Sequence, residues 1–362
     1  MSRLAFATLL LLFALPLYAA DVHVRVDPSA PHANPGNENL TVFPTIQNAL
    51  DHHPFATPNR NGTPGRVIIE IAPGTYRERV IITQNHPNIT LLGLGKSPAE
   101  VVITNSLNAK TAGGTFFTET LEINGSGFEA DNLTIENSAG NTGQAVAVAN
   151  RSDRSIFKHC RLLGHQDTLF ADFGRQYYVD TTIEGGVDYI FGNAAAVFDR
   201  TELHSNGPGF VTAQSRTSPR QHTGFVILNS RVTSSLEPSA PPMDPGTPGA
   251  KSSATARNTI GLGRPWRAYA RVVFIHTELP ADLNPAGWNN WSNPANESTA
   301  YFAEFNSTGP GAVTSSSPST RVPWSHQLTR AQAAKFLTAR FLAGPPSGPA
   351  HWNPIAAAAK LH

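Results

Sequence analysis

The feature that most restricts how this chain can fold is a register that returns at uneven intervals. Ala130, Leu133 and Ile135 stand at relative positions 0, +3 and +5. The same offsets recur in Phe157, Cys160 and Leu162; in Tyr178, Thr181 and Ile183; in Phe198, Thr201 and Leu203; in Ile227, Ser230 and Val232; and in Phe274, Thr277 and Leu279. Successive copies begin 27, 21, 20, 29 and 47 residues apart. A constant pattern at varying distance describes coils that stack in register and extrude loops of different length.

The chain ahead of these copies agrees. Val67-Ile68-Ile69-Glu70-Ile71, Arg79-Val80-Ile81-Ile82, Ile89-Thr90-Leu91-Leu92 and Val101-Val102-Ile103-Thr104 are short β-branched runs broken by turns. No helical pattern of crossover length separates them, as a layered α/β sheet would require. The expected fold is therefore all-β: a right-handed, single-stranded parallel β-helix with short N-terminal and C-terminal helices. The first helix is expected in Phe43 to Asp51, with Phe43, Ile46, Ala49 and Leu50 on one face, Pro44 in its first turn and Pro54 as its stop. The last opens at the capping box Thr329-Arg330-Ala331-Gln332 and presents Ala333, Phe336, Leu337 and Phe341 to the outside of the coil stack, with Gly344 and Pro345 ending it. Ser234 to Asn258, rich in Pro, Ser, Gly and Ala, reads as a long surface loop.

With 362 residues the chain can bury a large core, and its 29 glycines and 29 prolines fit many turns and few long helices. A net charge of +1 gives no broad basic field, so nucleic acid is not an expected partner. Arg3, the apolar run Leu4 to Leu17 and the small pair Ala19-Ala20 have the layout of a secretory signal peptide, although Tyr18 stands where a small residue is preferred. The run is shorter than the roughly 20 apolar residues of a membrane span. The expected organisation is a signal peptide at 1–20, a β-helix catalytic domain at 21–346 and a C-terminal tail at 347–362, in a secreted or periplasmic monomer. Cys160 is the only cysteine, which leaves no internal disulfide to stabilise an exported chain. It shares the +3 column with Leu133, Thr181, Thr201, Ser230 and Thr277, which favours a buried structural thiol over a nucleophile.

Chemistry concentrates in two acidic segments, Gly164-His165-Gln166-Asp167-Thr168-Leu169-Phe170 and Gly185-Gly186-Val187-Asp188-Tyr189-Ile190-Phe191-Gly192. Asp167 follows Leu162 by five residues and Asp188 follows Ile183 by five, so the register places both acids at one position of adjacent coils. Neighbouring strands lie about 4.8 Å apart. Two carboxylates that close cannot both ionise easily, and one keeps its proton beside a nucleophile or base. A ladder of exposed acids or Asp-capped turns satisfies the same spacing. Leu262-Gly263-Arg264-Pro265-Trp266 offers a cation for the ionised acid and an aromatic ring for a sugar face. Gln144 and Gln166 are amide donors suited to a developing oxyanion, and either also fits a buried amide ladder. No His, Cys or Asp cluster has the spacing of a metal site, and no cofactor is expected.

Together with Gly74-Thr75-Tyr76-Arg77-Glu78 and Gln144-Ala145-Val146-Ala147, these segments resemble the pectin methylesterases, the pectinesterase family of carbohydrate esterases, in motif, order and spacing from Phe43 to Phe305. Tyr189 departs from the phenylalanine common in that family. The resemblance implies a β-helix that hydrolyses galacturonate C6 methyl esters of homogalacturonan to methanol and a carboxylate. It implies Asp188 as nucleophile, Asp167 as general acid and then base, Arg264 as partner of Asp188, Gln144 and Gln166 as oxyanion donors, and no metal. Trp266, Phe170, Val187 and Phe191 are candidates for lining the sugar groove. Two rivals stay open at this point: a glycoside hydrolase on the same scaffold, whose retaining form also uses carboxylates about 5 Å apart, and a non-catalytic polysaccharide-binding β-helix.

Overall fold

The computed structural model describes residues 21–30, 42–53, 65–236, 260–313, 320–344 and 351–361. The expected signal peptide at 1–20 and nearly all of the 234–258 loop lie outside them. Strands group into one twelve-stranded and two seven-stranded sheets, and the strand order shows that each coil contributes one strand to each sheet in turn. Pairing is parallel in all three. The chain is thus a parallel β-helix with a continuous apolar interior.

The register read from the sequence is the register of the sheets. Ala130 pairs with Phe157, Phe157 with Tyr178, Tyr178 with Phe198, Phe198 with Ile227, and Ile227 with Phe274. Inside the coil, Phe157 and Tyr178 stack with centroids 5.0 Å apart, and Tyr178 and Phe198 at 4.8 Å. The +5 column is equally regular, with Ile135, Leu162, Ile183 and Leu203 paired in sequence and wholly buried.

The residue two after each copy's start explains why the pattern begins again. Asn132, His159, Asp180, Arg200, Asn229 and His276 all adopt left-handed backbone, with φ between 50° and 57°. One such residue turns each coil from the large sheet into the next, and short polar side chains tolerate this conformation better than others. The small +3 column follows from that bend. Thr181, Ser230 and Thr277 donate their hydroxyls to the carbonyls of Val179, Leu228 and Ile275, each two residues earlier and just ahead of the corner, at 3.0, 2.8 and 3.2 Å. The Cys160 thiol makes the same bond to Lys158 O at 3.2 Å. These carbonyls also accept the corner N–H of the preceding coil, as Val179 O does from His159 N at 3.3 Å and Ile275 O from Asn229 N at 3.0 Å, so the small side chains of the column add a second donor at each bend.

Two helix expectations are corrected. The first helix is Ile46–His52, while Phe43 belongs to a two-residue strand, Val42–Phe43. Thr45 caps it, and the Glu78 carboxylate accepts from the N–H groups of Ile46 and Gln47 at 3.0 and 2.9 Å. The capping box at Thr329 and Gln332 is present, but the helix it opens breaks at Leu337, whose φ and ψ of −62° and 142° are extended. Leu337 is consequently 45% exposed, whereas Ala333, Phe336 and Phe341 pack on Ile156, Tyr177 and Val197 outside the large sheet. The C-terminal tail adds a further helix, Pro354–Ala358, and Lys158 Nζ donates to Leu361 O at 2.6 Å.

Burial pushes the Cys160 thiol up to about 12. The native protein is expected to react with a thiol reagent at least about 100-fold more slowly than the unfolded chain. Comparable rates in buffer and in denaturant would contradict this packing.

Candidate active site

Asp167 and Asp188 are themselves corner residues. Both have left-handed backbone, φ 65° and 48°, at the bend between the second and third sheets. Leu162 pairs with Ile183 ahead of the bend and Leu169 with Ile190 after it. The acids therefore occupy matching places one coil apart, tied by Asp167 N–H to Val187 O at 3.0 Å. Gln144, Gln166 and Val187 form the column immediately before them.

The glycines of Gly185-Gly186 are required by close approach. A Cβ on Gly185 would lie 2.2 Å from Tyr189 Cβ, and one on Gly186 would lie 2.7 Å from His165 Cε1. The His165 ring fills the space that Gly186 leaves, and His165 O accepts from Gly186 N at 2.7 Å. Tyr189 is fully buried beneath the acids, with its hydroxyl 3.2 Å from Ser205 Oγ. The departure from phenylalanine is thus matched by a polar partner in the next coil.

Arg264 comes from farther along the stack, just past Ile260–Gly263, and its N–H is held by Thr212 O at 3.0 Å. Its guanidinium reaches back to Asp188: Nε lies 2.9 Å from Oδ1 and Nη2 lies 2.6 Å from Oδ2. Both residues are buried, at 6% and 5% exposure. The cation also lies 4.0 Å from the centroid of Trp291 and 4.9 Å from that of Phe210. Aromatic faces on a desolvated guanidinium help hold the cation at Asp188.

Asp167 receives no comparable pairing. Burial first, and then the charge of Asp188, push its carboxyl well above the ordinary range, and Arg264 only partly opposes them. One acid is locked to a fixed cation while the other favours its proton, which is the division that like charges one coil apart require.

These groups open into a cleft of about 260 Å³ lined by Gln144, Gln166, Asp167, Asp188, Arg264 and Trp266 together with Thr115, Phe116, Phe191, Ala213 and Trp291. Phe170 and Val187 are not in that lining. Phe170 supports it, stacked on Phe191 at 4.7 Å and on Phe116 at 4.8 Å, while a Val187 methyl packs over Gly209. A larger groove of about 460 Å³ lies away from the acids, and its Arg200 and Arg231 are paired with Asp180 and Glu202. Thr115, Phe116, Ala213, Trp291 and Phe210 were missed in the sequence. Ala213 was legible, because it pairs with Phe191 in the extended register. Thr115 and Phe116 sit in the short 3-10 helix Thr115–Phe117, Trp291 in a turn and Phe210 on the strand Gly209–Gln214, none with a chemical marker.

Among the described residues no group of three His, Cys, Asp or Glu side chains gathers as a metal site, and no helix is long and apolar enough to cross a membrane.

The pectinesterase family model matches residues 36–345. The chain is 36% identical over 309 residues to Pectinesterase 31 of Arabidopsis thaliana, covering 82% of this chain and 88% of that relative. It spans about half of several other curated relatives, 51% of Pectinesterase 1 from Citrus sinensis among them, and 84% of Pectinesterase from Daucus carota. Among solved structures, pectin methylesterase from carrot superimposes with a TM-score of 0.74 at 32% identity, over 90% of this chain and 94% of that one. A pectin methylesterase in complex with hexasaccharide VII gives 0.68 at 27% identity, over 91% and 100%. The fold is the right-handed parallel β-helix of these neighbours. Sequence, register and fold agree that the chain belongs to the pectinesterase family of carboxylic ester hydrolases.

Proposed function

We propose that this protein hydrolyses the C6 methyl esters of galacturonate units in homogalacturonan through an acyl-enzyme on Asp188, working as a secreted or periplasmic monomer without a cofactor. The observation that carries the mechanism is the unequal treatment of two neighbouring acids: Asp188 grips a buried guanidinium, while Asp167 is driven toward its protonated form. An anion and an acid side by side are what an ester with a poor leaving group requires.

In the first half-reaction Asp188 Oδ attacks the ester carbonyl carbon, and the carbonyl oxygen becomes an oxyanion facing the amides of Gln144 and Gln166. Collapse breaks the C–O bond to methoxide, which takes the Asp167 proton and leaves as methanol. The sugar is then held as a mixed anhydride on Asp188. Asp167, now anionic, removes a proton from water as the water attacks the sugar acyl carbon. Asp188 departs as carboxylate, Asp167 holds the proton taken from water, and the galacturonic acid released gives its own proton to solvent to become the carboxylate. Trp266 and Phe191 offer faces for sugar rings.

The family match and the structural likeness to a pectin methylesterase bound to a hexasaccharide support the ester reading over glycosidic cleavage. Product analysis on methylated pectin tests it directly. Methanol without new reducing ends is expected, and reducing ends without methanol would favour the glycosidase.

Asp188→Asn is expected to abolish turnover, because an amide cannot form the acyl-enzyme. Asp167→Asn keeps the nucleophile but lacks the base for deacylation. Given an ester with an activated phenolate leaving group, it should accumulate an adduct visible by intact mass. An adduct mapping to Asp167, or found in Asp188→Asn, would reverse the two roles.

Arg264→Lys keeps the charge and loses the planar fork. It is expected to lower kcat by about 100-fold while the protein stays folded. Unchanged turnover would remove Arg264 from the site.

Asp167 binds its proton more tightly in the folded protein than in the unfolded chain. The stability it contributes is therefore present in acid and is lost as pH rises through its raised folded value. Asp167→Asn should melt above wild type in mildly alkaline buffer, and the difference should close in strongly acidic buffer. A constant difference across the titration would show that burial does not raise this carboxyl.

A further inference from the structure

The ester site leaves two arginines unused, at the corner where the third sheet passes into the large one. Gln214 is fully buried there, and its Oε1 accepts from the backbone N–H groups of both Arg216 and Arg271, each at 2.9 Å. One carboxamide oxygen thus pins two main chains side by side, so that both cations leave from neighbouring points. Arg216 is 9% exposed, and its Nε and Nη2 donate to the carbonyls of Gln221 and Pro219. The Arg271 guanidinium lies 5.3 Å from the centroid of the Phe341 ring and crosses Gly224, where an added Cβ would stand 2.7 Å from its Nε.

What Arg271 lacks, among the described residues, is an acceptor of its own. Among the described residues, Arg271 Nε and Nη2 are buried with no hydrogen-bond partner, and so is Gln214 Nε2. Among the described residues neither arginine pairs with a carboxylate, whereas the buried arginines Arg264 and Arg321 hold Asp188 and Glu304. A buried cation with idle donors beside a second cation is unfavourable unless an anion joins them. Burial and the neighbouring Arg216 together push the Arg271 guanidinium down to about 10. Arg271 as a residue is partly exposed.

We propose that Arg216 and Arg271 form a second, non-catalytic binding site for an oxyanion, a carboxylate or a phosphate, walled on one side by Phe341. The planar fork of Arg271 suits two oxygens of one such group. The anion supplies the acceptors that the fold leaves out, and it ties the 216–222 loop to the C-terminal helices that cover the large sheet.

Thermal melting in sodium phosphate, sodium galacturonate and sodium chloride at matched ionic strength tests the site. Wild type should melt higher by about 2 °C or more in phosphate or galacturonate than in chloride. Whichever anion gives the increment identifies the source, free phosphate or a sugar carboxylate. Arg271→Leu should lose the increment and melt in chloride at or above wild type, because its idle charge is gone. Its turnover of methylated pectin should stay within about twofold. Arg271→Gln, which keeps a polar side chain, should lose the increment too and serves if the leucine variant does not fold. No excess stabilisation of wild type would overturn the proposal. So would an increment that persists in a folded variant, since the anion would then be binding in the ester cleft.

Discussion

Everything in this protein depends on coils that stack in register at the spacing of a parallel sheet, about 4.8 Å. A residue at one place in a coil is held against its counterpart in the next, whatever the lengths of the loops between them. In the interior this makes ladders of Phe, Tyr, Ile and Leu. At the corners it makes ladders of left-handed residues and of small hydroxyls that donate to the carbonyls just ahead of each bend. At one corner it sets two aspartates side by side, and the electrostatics of the site follow from that placement.

Two carboxylates so placed would repel if both were ionised, and water is largely excluded from them. The fold relieves the conflict with a third element from farther along the stack. Arg264 spans back to Asp188 with two short bonds and leaves Asp167 to hold its proton. A guanidinium buried between Trp291 and Phe210 would be costly alone. Paired in the fork geometry, it instead fixes which acid is the anion. The left-handed backbone at both acids, strained for residues other than glycine, is retained where the side chains must emerge from a sharp bend.

Much of this was legible in the residues. The 0, +3 and +5 offsets are spatial columns because a parallel ladder preserves register across each coil, and for the same reason matched offsets after Leu162 and Ile183 placed Asp167 beside Asp188. The corner residues could have been read as well: Asn132, His159, Asp180 and Asn229 share one offset and favour left-handed backbone. The helix break at Leu337 left no mark, since its apolar neighbours keep helical spacing through a residue that is extended in the structure. The tail helix from Pro354 to Ala358 was equally silent, because its stability comes from packing on an exterior surface that local composition does not reveal.

By itself the sequence determined the ladders, the pairing of the two acids and the identity of the residues able to serve them, because a register that repeats along the chain is local information. Only the tertiary structure decided which acid is bound by Arg264, since that depends on how far a side chain reaches across coils. It alone brought Trp291 and Phe116 to the site, from segments with no repeat to place them. It alone left Arg216 and Arg271 together without an acid, because a missing partner is a property of the folded neighbourhood rather than of any stretch of chain.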